Sequence, residues 1–311
     1  MIEHRTLGQT GLQVSVLGFG GSEIGYAPIT PDELDRLLGN ARDVGINVID
    51  TAECYADSEE AIGQALSRSS RRDHFHLITK CGHSRGFDLP DWTPQLLEQS
   101  IDRSLQRLRT DHIDVLLLHS CSEDILRDED VINVVQRARA AGKTRFIGYS
   151  GDSQPARVAV QSGLFDVLMT SLNIADQEAI DLTLPLTMER GMGVIVKRPL
   201  ANMAWNSGAT AEGERGRRYW TDGYTDVYTE RLKRLNYDFL TQSDVPGAVS
   251  LALRFTLSMT GVTTAIVGTT NPERLPRNAE LLRAGPLSAA RIAAIRARWH
   301  DVGDASWTGQ G

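Results

Sequence analysis

The chain has 311 residues, a formal net charge of −7, and 41% hydrophobic and 23% charged residues. These values are typical of a soluble globular protein, and the negative charge disfavours nucleic acid or an anionic membrane as a partner. The sequence has no apolar signal region at its start and no apolar run long enough to span a membrane, and its three Cys residues do not indicate a disulfide framework. We therefore expect one cytoplasmic domain over residues 1–311, whose oligomeric state the sequence does not predict.

The predicted elements begin with a β-hairpin that turns around 8–11 and then alternate between strands and helices. The first helix opens at Thr30 and Pro31, which suit a helix cap and a first turn, and it ends at Gly45. The predicted strands are 14–20, 46–50, 75–80, 113–118, 144–149, 165–170, 192–197 and 263–267. The predicted helices are 32–44, 58–68, 94–108, 129–141, 153–162, 177–190, 246–259 and 272–284.

Strands that alternate with helices in this way predict a (β/α)8 TIM barrel, with the N-terminal hairpin in front of it and extra helices and loops at its C-terminal face. A doubly wound open sheet is the alternative fold. In both folds, a ligand binds outside the carboxyl ends of the strands.

Three consecutive predicted strands end in polar side chains. Asp50 and Tyr55 follow one strand, Lys80 ends the next, and His119 ends the third. A phenol, with an ordinary pKa of about 10, becomes a useful acid near neutral pH if a cation lowers that pKa, and Lys80 is the candidate cation. Asp50 would keep Lys80 charged. The cluster could protonate a carbonyl oxygen while a hydride reaches the carbon, and because no side chain carries hydride, a nicotinamide cofactor is implied.

Gly45–Tyr55, Ile78–Lys80 and Leu116–His119 together resemble the aldo-keto reductases. The resemblance covers nearly the whole chain, and the family's catalytic Asp, Tyr, Lys and His fall, in this order, on Asp50, Tyr55, Lys80 and His119. It implies NAD(P)H-dependent reduction of an aldehyde or ketone to an alcohol, with Tyr55 as general acid and His119 polarising the carbonyl of a small-molecule substrate.

Signals for cofactor binding follow the last predicted strand. Asn271 suits a helix cap and Pro272 a first helical turn, so the exposed N–H groups there form an anion site. Arg274 adds a bidentate phosphate ligand. The resemblance maps the family's adenosine-phosphate segment onto Gly268, Thr269, Thr270, Arg274 and Asn278. A Lys that many NADP-dependent members carry falls on Gly268, so we predict NADPH from Arg274 and leave NADH possible.

Other positions depart from the family pattern in ways that alter the cofactor contacts. The pair that grips the nicotinamide amide falls on Ser150 and Gly151, and a Gln falls on Met169. The segment that often carries a stacking aromatic is Lys197, Arg198, Pro199 and Leu200. The glycines after the first barrel strand, Gly20 and Gly21, would let the backbone approach a ligand closely.

These departures keep a second function open, a cofactor-binding redox-sensing regulatory module with little turnover. A third is a lyase that forms a Schiff base on Lys80, which the neighbouring Asp50 disfavours because a paired ammonium is a poor nucleophile.

Long loops at the predicted barrel mouth carry aromatic side chains. Trp92, Trp205 and Trp220 are the candidate substrate contacts, and Arg215, Arg217 and Arg218 would add cationic character.

The three cysteines, Cys54, Cys81 and Cys121, adjoin the predicted catalytic residues. They are either packing residues or thiols sensitive to oxidation. Their long spacings, and the competition that zinc would make for His119, lead us to predict no metal site.

Overall fold

The computed structural model describes residues 1–206, 223 and 225–310. A closed barrel of eight parallel strands forms the centre of the fold, and an antiparallel hairpin of β1 (His4–Thr6) and β2 (Gln13–Ser15) precedes it. The barrel strands are β3 (Leu17–Gly20), β4 (Val48–Asp50), β5 (His76–Cys81), β6 (Ile113–His119), β7 (Thr144–Ser150), β8 (Val167–Ser171), β9 (Gly193–Lys197) and β10 (Thr264–Gly268).

The barrel closes because the last strand pairs with the first. Ala265 of β10 lies opposite Leu17 of β3, and β10 also pairs with β9. The barrel prediction is therefore confirmed, and the open-sheet alternative is wrong. All barrel strands are buried almost throughout, as expected for parallel strands covered on both faces.

The described helices surround the strands. They are α1 (Pro31–Asp43), α2 (Ser58–Ser69), α3 (Pro94–Leu108), α4 (Glu123–Leu126), α5 (Glu129–Ala140), α6 (Ser153–Ser162), α7 (Glu178–Leu182), α8 (Leu184–Arg190), α9 (Asp226–Leu235), α10 (Asp238–Gln242), α11 (Val245–Leu257), α12 (Arg274–Leu282) and α13 (Ala289–Val302). No described helix is both long and apolar enough to cross a membrane.

Local chemistry fixes several of these boundaries. At the start of α1, Thr30 and Glu33 form a reciprocal capping box and Pro31 occupies the first turn. The predicted helix 177–190 is two helices, because Pro185 cannot continue an α-helical hydrogen-bond ladder and α8 starts around it. The predicted strand 14–20 is likewise divided between the hairpin and the barrel.

The C-terminal part of the chain packs back on the barrel. The helix α13 was not predicted, and its Trp299 makes an edge-to-face contact with Trp307, with ring centroids 5.0 Å apart. Both indole rings are buried. The tail beyond them then reaches the barrel mouth, where Gln310 contacts residues at the end of β9.

Candidate active site at the barrel mouth

Lys80 lies at the centre of the polar cluster predicted at the strand ends. Strands β4 and β5 are neighbours in the barrel, which brings Asp50 and Lys80 together. The Lys80 Nζ donates to Asp50 Oδ1 at 2.7 Å and Oδ2 at 2.8 Å, and to the Thr51 carbonyl at 2.7 Å. It also lies 4.8 Å from the centre of the Tyr55 ring.

Electrostatics in this cluster keep Lys80 charged and Tyr55 protonated. Burial alone lowers the pKa of Lys80, but the charge and hydrogen bonds of Asp50, together with Tyr55 and Cys54, raise the pKa above its ordinary value. For Tyr55, burial raises the pKa to about 12, although the nearby Lys80 ammonium opposes that rise. Lys80 thus acts on the Tyr55 pKa in the predicted direction, but burial of the phenol outweighs the cation and the net pKa lies above its ordinary value.

His119 ends β6 and completes the predicted cluster. Its ring lies edge-on to the Tyr55 ring, with centroids 5.6 Å apart. Burial, reinforced by Lys80, holds the pKa of His119 well below its ordinary value, so the imidazole is neutral at physiological pH. Its Nδ1 lies 3.4 Å from the Cys54 Sγ, a contact that strand order alone could not reveal.

The environment of the cysteines does not favour a reactive thiolate. Burial raises the pKa of Cys54 and Cys81, and raises that of Cys121 to about 12. All three are free thiols. Reactive cysteines require the opposite shift, so the pKa values favour the packing interpretation.

Two loops brace the segment that carries Tyr55. Gly25 packs so closely that a Cβ there would lie 1.9 Å from the Tyr55 carbonyl oxygen, and only glycine fits. The Tyr26 hydroxyl and the Arg85 guanidinium both donate to the Cys54 carbonyl, at 3.1 and 2.9 Å. The backbone on which Tyr55 stands is thereby fixed from two sides.

The predicted substrate residues have different positions. The ring of Trp92 lies edge-on to that of His83, with centroids 5.3 Å apart, and the His83 and His119 centroids are 5.0 Å apart. Trp92 therefore lies at the mouth of the site. Trp205 packs against the main core, and its buried Nε1 has no partner among the described residues. Trp220, Arg215, Arg217 and Arg218 lie outside the described residues.

Tyr149 explains the first departure from the family pattern. A Cβ on Gly151 would lie 2.3 Å from the Tyr149 hydroxyl oxygen, which donates to the Cys121 carbonyl at 2.8 Å. The ring therefore fills the space that a larger side chain at position 151 would need. Ser150, which ends β7, and its register partner Met169 in the middle of β8 are both buried.

The segment after β9 is held by partners that the sequence reading missed. Lys197 Nζ lies 2.9 Å from Asp152 Oδ2, and Asp152 also accepts from the Ser171 N–H at 2.6 Å. Arg198 donates to the Gln310 carbonyl of the C-terminal tail. The sequence signal that could have identified Asp152 was a carboxylate two residues after the end of β7. Pro199 and Leu200 continue this turn, and Leu200 is buried.

The segment after β10 differs slightly from its prediction. Asn271 Oδ1 accepts from the Glu273 N–H at 2.9 Å, so it closes a turn in front of the helix, and α12 starts at Arg274. Thr269 accepts from the Asn271 N–H at 3.0 Å, and Thr270 lies between them. The Nδ2 of the buried Asn278 has no hydrogen-bond partner among the described residues.

Close backbone approaches surround the same end of the barrel. A Cβ on Gly20 would lie 3.3 Å from the Gly268 nitrogen, and one on Gly21 would lie 2.9 Å from the Asp50 carbonyl oxygen. The close backbone approach predicted at these glycines is thus made by β4 and β10, the two strands between which β3 packs.

A model of the Aldo/keto reductase family matches residues 16–300. The chain belongs to this family. Its relatives include L-galactose dehydrogenase of Arabidopsis thaliana, 35% identical over 216 residues that make up 64% of this chain and 66% of that protein. Another is an NADH-specific methylglyoxal reductase of Escherichia coli (strain K12), 28% identical over 89% of this chain and 92% of that protein.

The fold comparison agrees with this family. An aldo-keto reductase from Bacillus halodurans, solved in its holo form, superposes with a TM-score of 0.77 at 26% identity and covers 96% of each chain. With dehydrogenases and reductases as relatives, the protein is an oxidoreductase.

Proposed function

We propose that this oxidoreductase interconverts a small aldehyde or ketone and its alcohol with a nicotinamide cofactor, at the mouth formed by Asp50, Tyr55, Lys80 and His119. The observation that carries the proposal is the Lys80 ammonium, which is bonded to both Asp50 oxygens and lies 4.8 Å from the Tyr55 ring. The relatives are reductases and dehydrogenases, which favours turnover over a regulatory module.

Tyr55 acts as the general acid in this proposal. Its phenol stays protonated across physiological pH, and the neighbouring Lys80 ammonium stabilises the phenolate that remains after the proton has moved to the substrate oxygen. Asp50 holds that ammonium in place. Lys80 is thus an electrostatic stabiliser of the product form of Tyr55 rather than a nucleophile.

Neutral His119 supplies a second donor toward the carbonyl oxygen. Because the protonated Cys54 thiol lies against Nδ1, that nitrogen is suited to accept and Nε2 to carry the proton. An Nε2–H can donate to the oxygen on which charge develops. Cys54 is therefore a positioning residue for His119.

The residues present fit a nicotinamide dinucleotide. Asn278 offers a buried amide nitrogen that has no partner among the described residues, and Arg274 offers a guanidinium at a helix start. Lys197 and Arg198 add cationic groups at the end of β9, the strand next to β10. When bound, the cofactor supplies or accepts the hydride. We assign its adenosine end to the segment 268–278 and its nicotinamide end to the region of Ser150 and Met169.

The substrate enters between aromatic and polar side chains. His83 and Trp92 line one side of the approach to His119. Tyr26 and Arg85 come from two other loops and donate to the Cys54 carbonyl. This lining suits a small polar carbonyl compound, because flat rings provide apolar contact and the guanidinium and phenol provide hydrogen bonds.

The proposal is tested with the wild-type protein, both nicotinamide cofactors and a panel of small aldehydes, ketones and the matching alcohols. We expect one alcohol formed per reduced cofactor consumed, and the reverse with alcohols. Cofactor binding without any turnover across the panel would contradict the proposal and favour a regulatory role.

A further inference from the structure

Glu23 lies where the sequence placed no functional residue. It sits in the short helical turn Ser22–Gly25 that follows β3, and its backbone carbonyl accepts from the N–H groups of Tyr26 and Ala27, at 3.1 and 2.8 Å. These bonds fix the turn. The Glu23 side chain then reaches across to the end of β10, the strand that pairs with β3.

The carboxylate of Glu23 lies directly beside Gly268. A Cβ built on Gly268 would come within 3.2 Å of the Glu23 Oε1. The resemblance to the aldo-keto reductases places on Gly268 a lysine of many NADP-dependent members, so here a carboxylate lies beside a position that has no ammonium. The Glu23 carboxylate therefore reduces the positive potential that would attract a phosphate to this end of the barrel.

Neither the Glu23 carboxylate nor the Arg274 guanidinium has a hydrogen-bond or salt-bridge partner among the described residues. The Arg274 charge is near enough to act on Glu23, against the burial that raises the pKa of the Glu23 carboxyl, yet among the described residues the two side chains form no salt bridge or hydrogen bond. Both are partly buried. Half-buried charges without partners are costly, which is typical of groups that a ligand completes.

A protein carboxylate near the 2′ position of the adenosine ribose interacts differently with NADH and with NADPH. A carboxylate accepts hydrogen bonds from the free ribose hydroxyls of NADH, whereas it repels the 2′-phosphate of NADPH. In dinucleotide-binding folds generally, an acidic residue near the ribose favours NAD and a nearby arginine accommodates the phosphate of NADP. In this protein an acidic residue, Glu23, and an arginine, Arg274, are both present, and position 268 is a glycine rather than a lysine.

We propose that Glu23, seated against Gly268, makes this enzyme selective for NADH over NADPH. Arg274 then serves the pyrophosphate or the adenine ring rather than a 2′-phosphate. The inference rests on the proposed function, because it takes the adenosine end of the cofactor to lie at the segment 268–278. It reverses the NADPH preference that Arg274 alone had suggested from the sequence.

The test is a calorimetric titration of NADH and NADPH into the wild-type protein and into Glu23→Gln, which needs no turnover. We expect the wild type to bind NADH more tightly. Loss of one charge near the 2′-phosphate should narrow the ratio of the two dissociation constants by about 10- to 100-fold, chiefly through tighter NADPH binding. Glu280→Gln removes an exposed carboxylate from the same helix, α12, and should leave the ratio unchanged.

A second variant keeps the test independent of how well Glu23→Gln folds. Gly268 has an ordinary backbone conformation, so Gly268→Lys introduces the ammonium beside Glu23 without backbone strain and should also tighten NADPH binding. Tighter binding of NADPH by the wild type, or an unchanged ratio in the two variants, would overturn the inference while leaving the proposed function intact. Failure of the wild type to bind either nucleotide would overturn both.

Discussion

The two sides of the barrel mouth treat their charges differently. On the side of β4 and β5, the Lys80 ammonium is bonded to Asp50 and to a backbone carbonyl. On the side of β10, Glu23, Arg274 and the Asn278 amide nitrogen have no such partners among the described residues. The first side is organised by the protein's own contacts, and the second side is the one to which we assign the adenosine end of the cofactor.

This difference suits the two sides to different tasks. Charges that are already fixed in place before the reaction need no reorganisation during it, which suits acid–base chemistry. Unpaired charges instead discriminate among ligands by what each ligand brings to them. The region between the two sides, around Tyr149 and Gly151, is filled by side-chain packing.

We expect the largest effect from a substitution that removes the ion pair between Lys80 and Asp50. Lys80→Met leaves the buried Asp50 carboxylate without its cation, so we expect the free energy of unfolding to fall by about 3–5 kcal/mol. Turnover should fall by about 10²- to 10⁴-fold, because Tyr55 loses the cation that stabilises its phenolate. Denaturant titration and steady-state kinetics measure the two effects.

Matched variants separate these effects. The double variant Asp50→Asn/Lys80→Met should recover most of the stability but none of the activity. Lys143→Met breaks the exposed ion pair with Asp102 and should cost less than about 1 kcal/mol. Equal stability of Lys80→Met and the wild type would show that the buried pair does not organise this side.

The second prediction concerns pH. Because burial raises the pKa of Tyr55 to about 12, the phenol is protonated at every ordinary assay pH. Carbonyl reduction, which uses the protonated form, should show a kcat with little dependence on pH between about 6 and 9. Alcohol oxidation uses the phenolate, so its kcat should rise by up to about tenfold per pH unit. A reduction kcat that falls as pH rises through about 7 would contradict this assignment.

The third prediction tests the packed region between the two sides. Gly151→Ala would place a methyl group 2.3 Å from the Tyr149 hydroxyl oxygen, and overpacking of this kind costs about 1–3 kcal/mol in the free energy of unfolding. The cost should shrink when the change is made in a Tyr149→Leu background. Gly39→Ala, in the middle of α1, should stabilise the protein instead. Thermal or denaturant unfolding of this set decides whether Tyr149 fills the space at position 151.

The smallest effect is expected at Cys54. Cys54→Ala removes the thiol beside His119 Nδ1, and the loss of one weak hydrogen bond should lower kcat by about 2- to 10-fold. Nitrogen-15 NMR of the imidazole should show a larger share of the Nδ1–H tautomer. Cys54→Ser should retain the wild-type tautomer, as should Cys121→Ala. An unchanged tautomer in Cys54→Ala would remove Cys54 from its positioning role.

Chain order was sufficient to predict the barrel and the grouping of the acid–base residues. Strands alternate with helices at a period that a parallel barrel requires, and Asp50, Lys80 and His119 end consecutive strands, which become neighbours when the barrel forms. Local signals of this kind survive small errors in element boundaries. The strand ends alone therefore located the candidate site.

Contacts between distant segments were beyond the same reasoning. The approach of Glu23 to Gly268 joins the first and last barrel strands, and Gln310 reaches Arg198 from the end of the chain. The net pKa of Tyr55 depends on burial, which the residue types near it do not give. These features depend on three-dimensional packing rather than on spacing along the chain.

A single-turnover measurement with Tyr55→Phe shows whether Tyr55 is the acid of a nicotinamide-dependent carbonyl reduction. Reduced cofactor is first titrated into the wild type and the variant, and its oxidation is then followed after mixing with an aldehyde. We expect unchanged cofactor affinity in the variant, and oxidation of the cofactor slowed by about 10²- to 10⁴-fold. Equal oxidation rates in the two proteins at equal cofactor occupancy would contradict it.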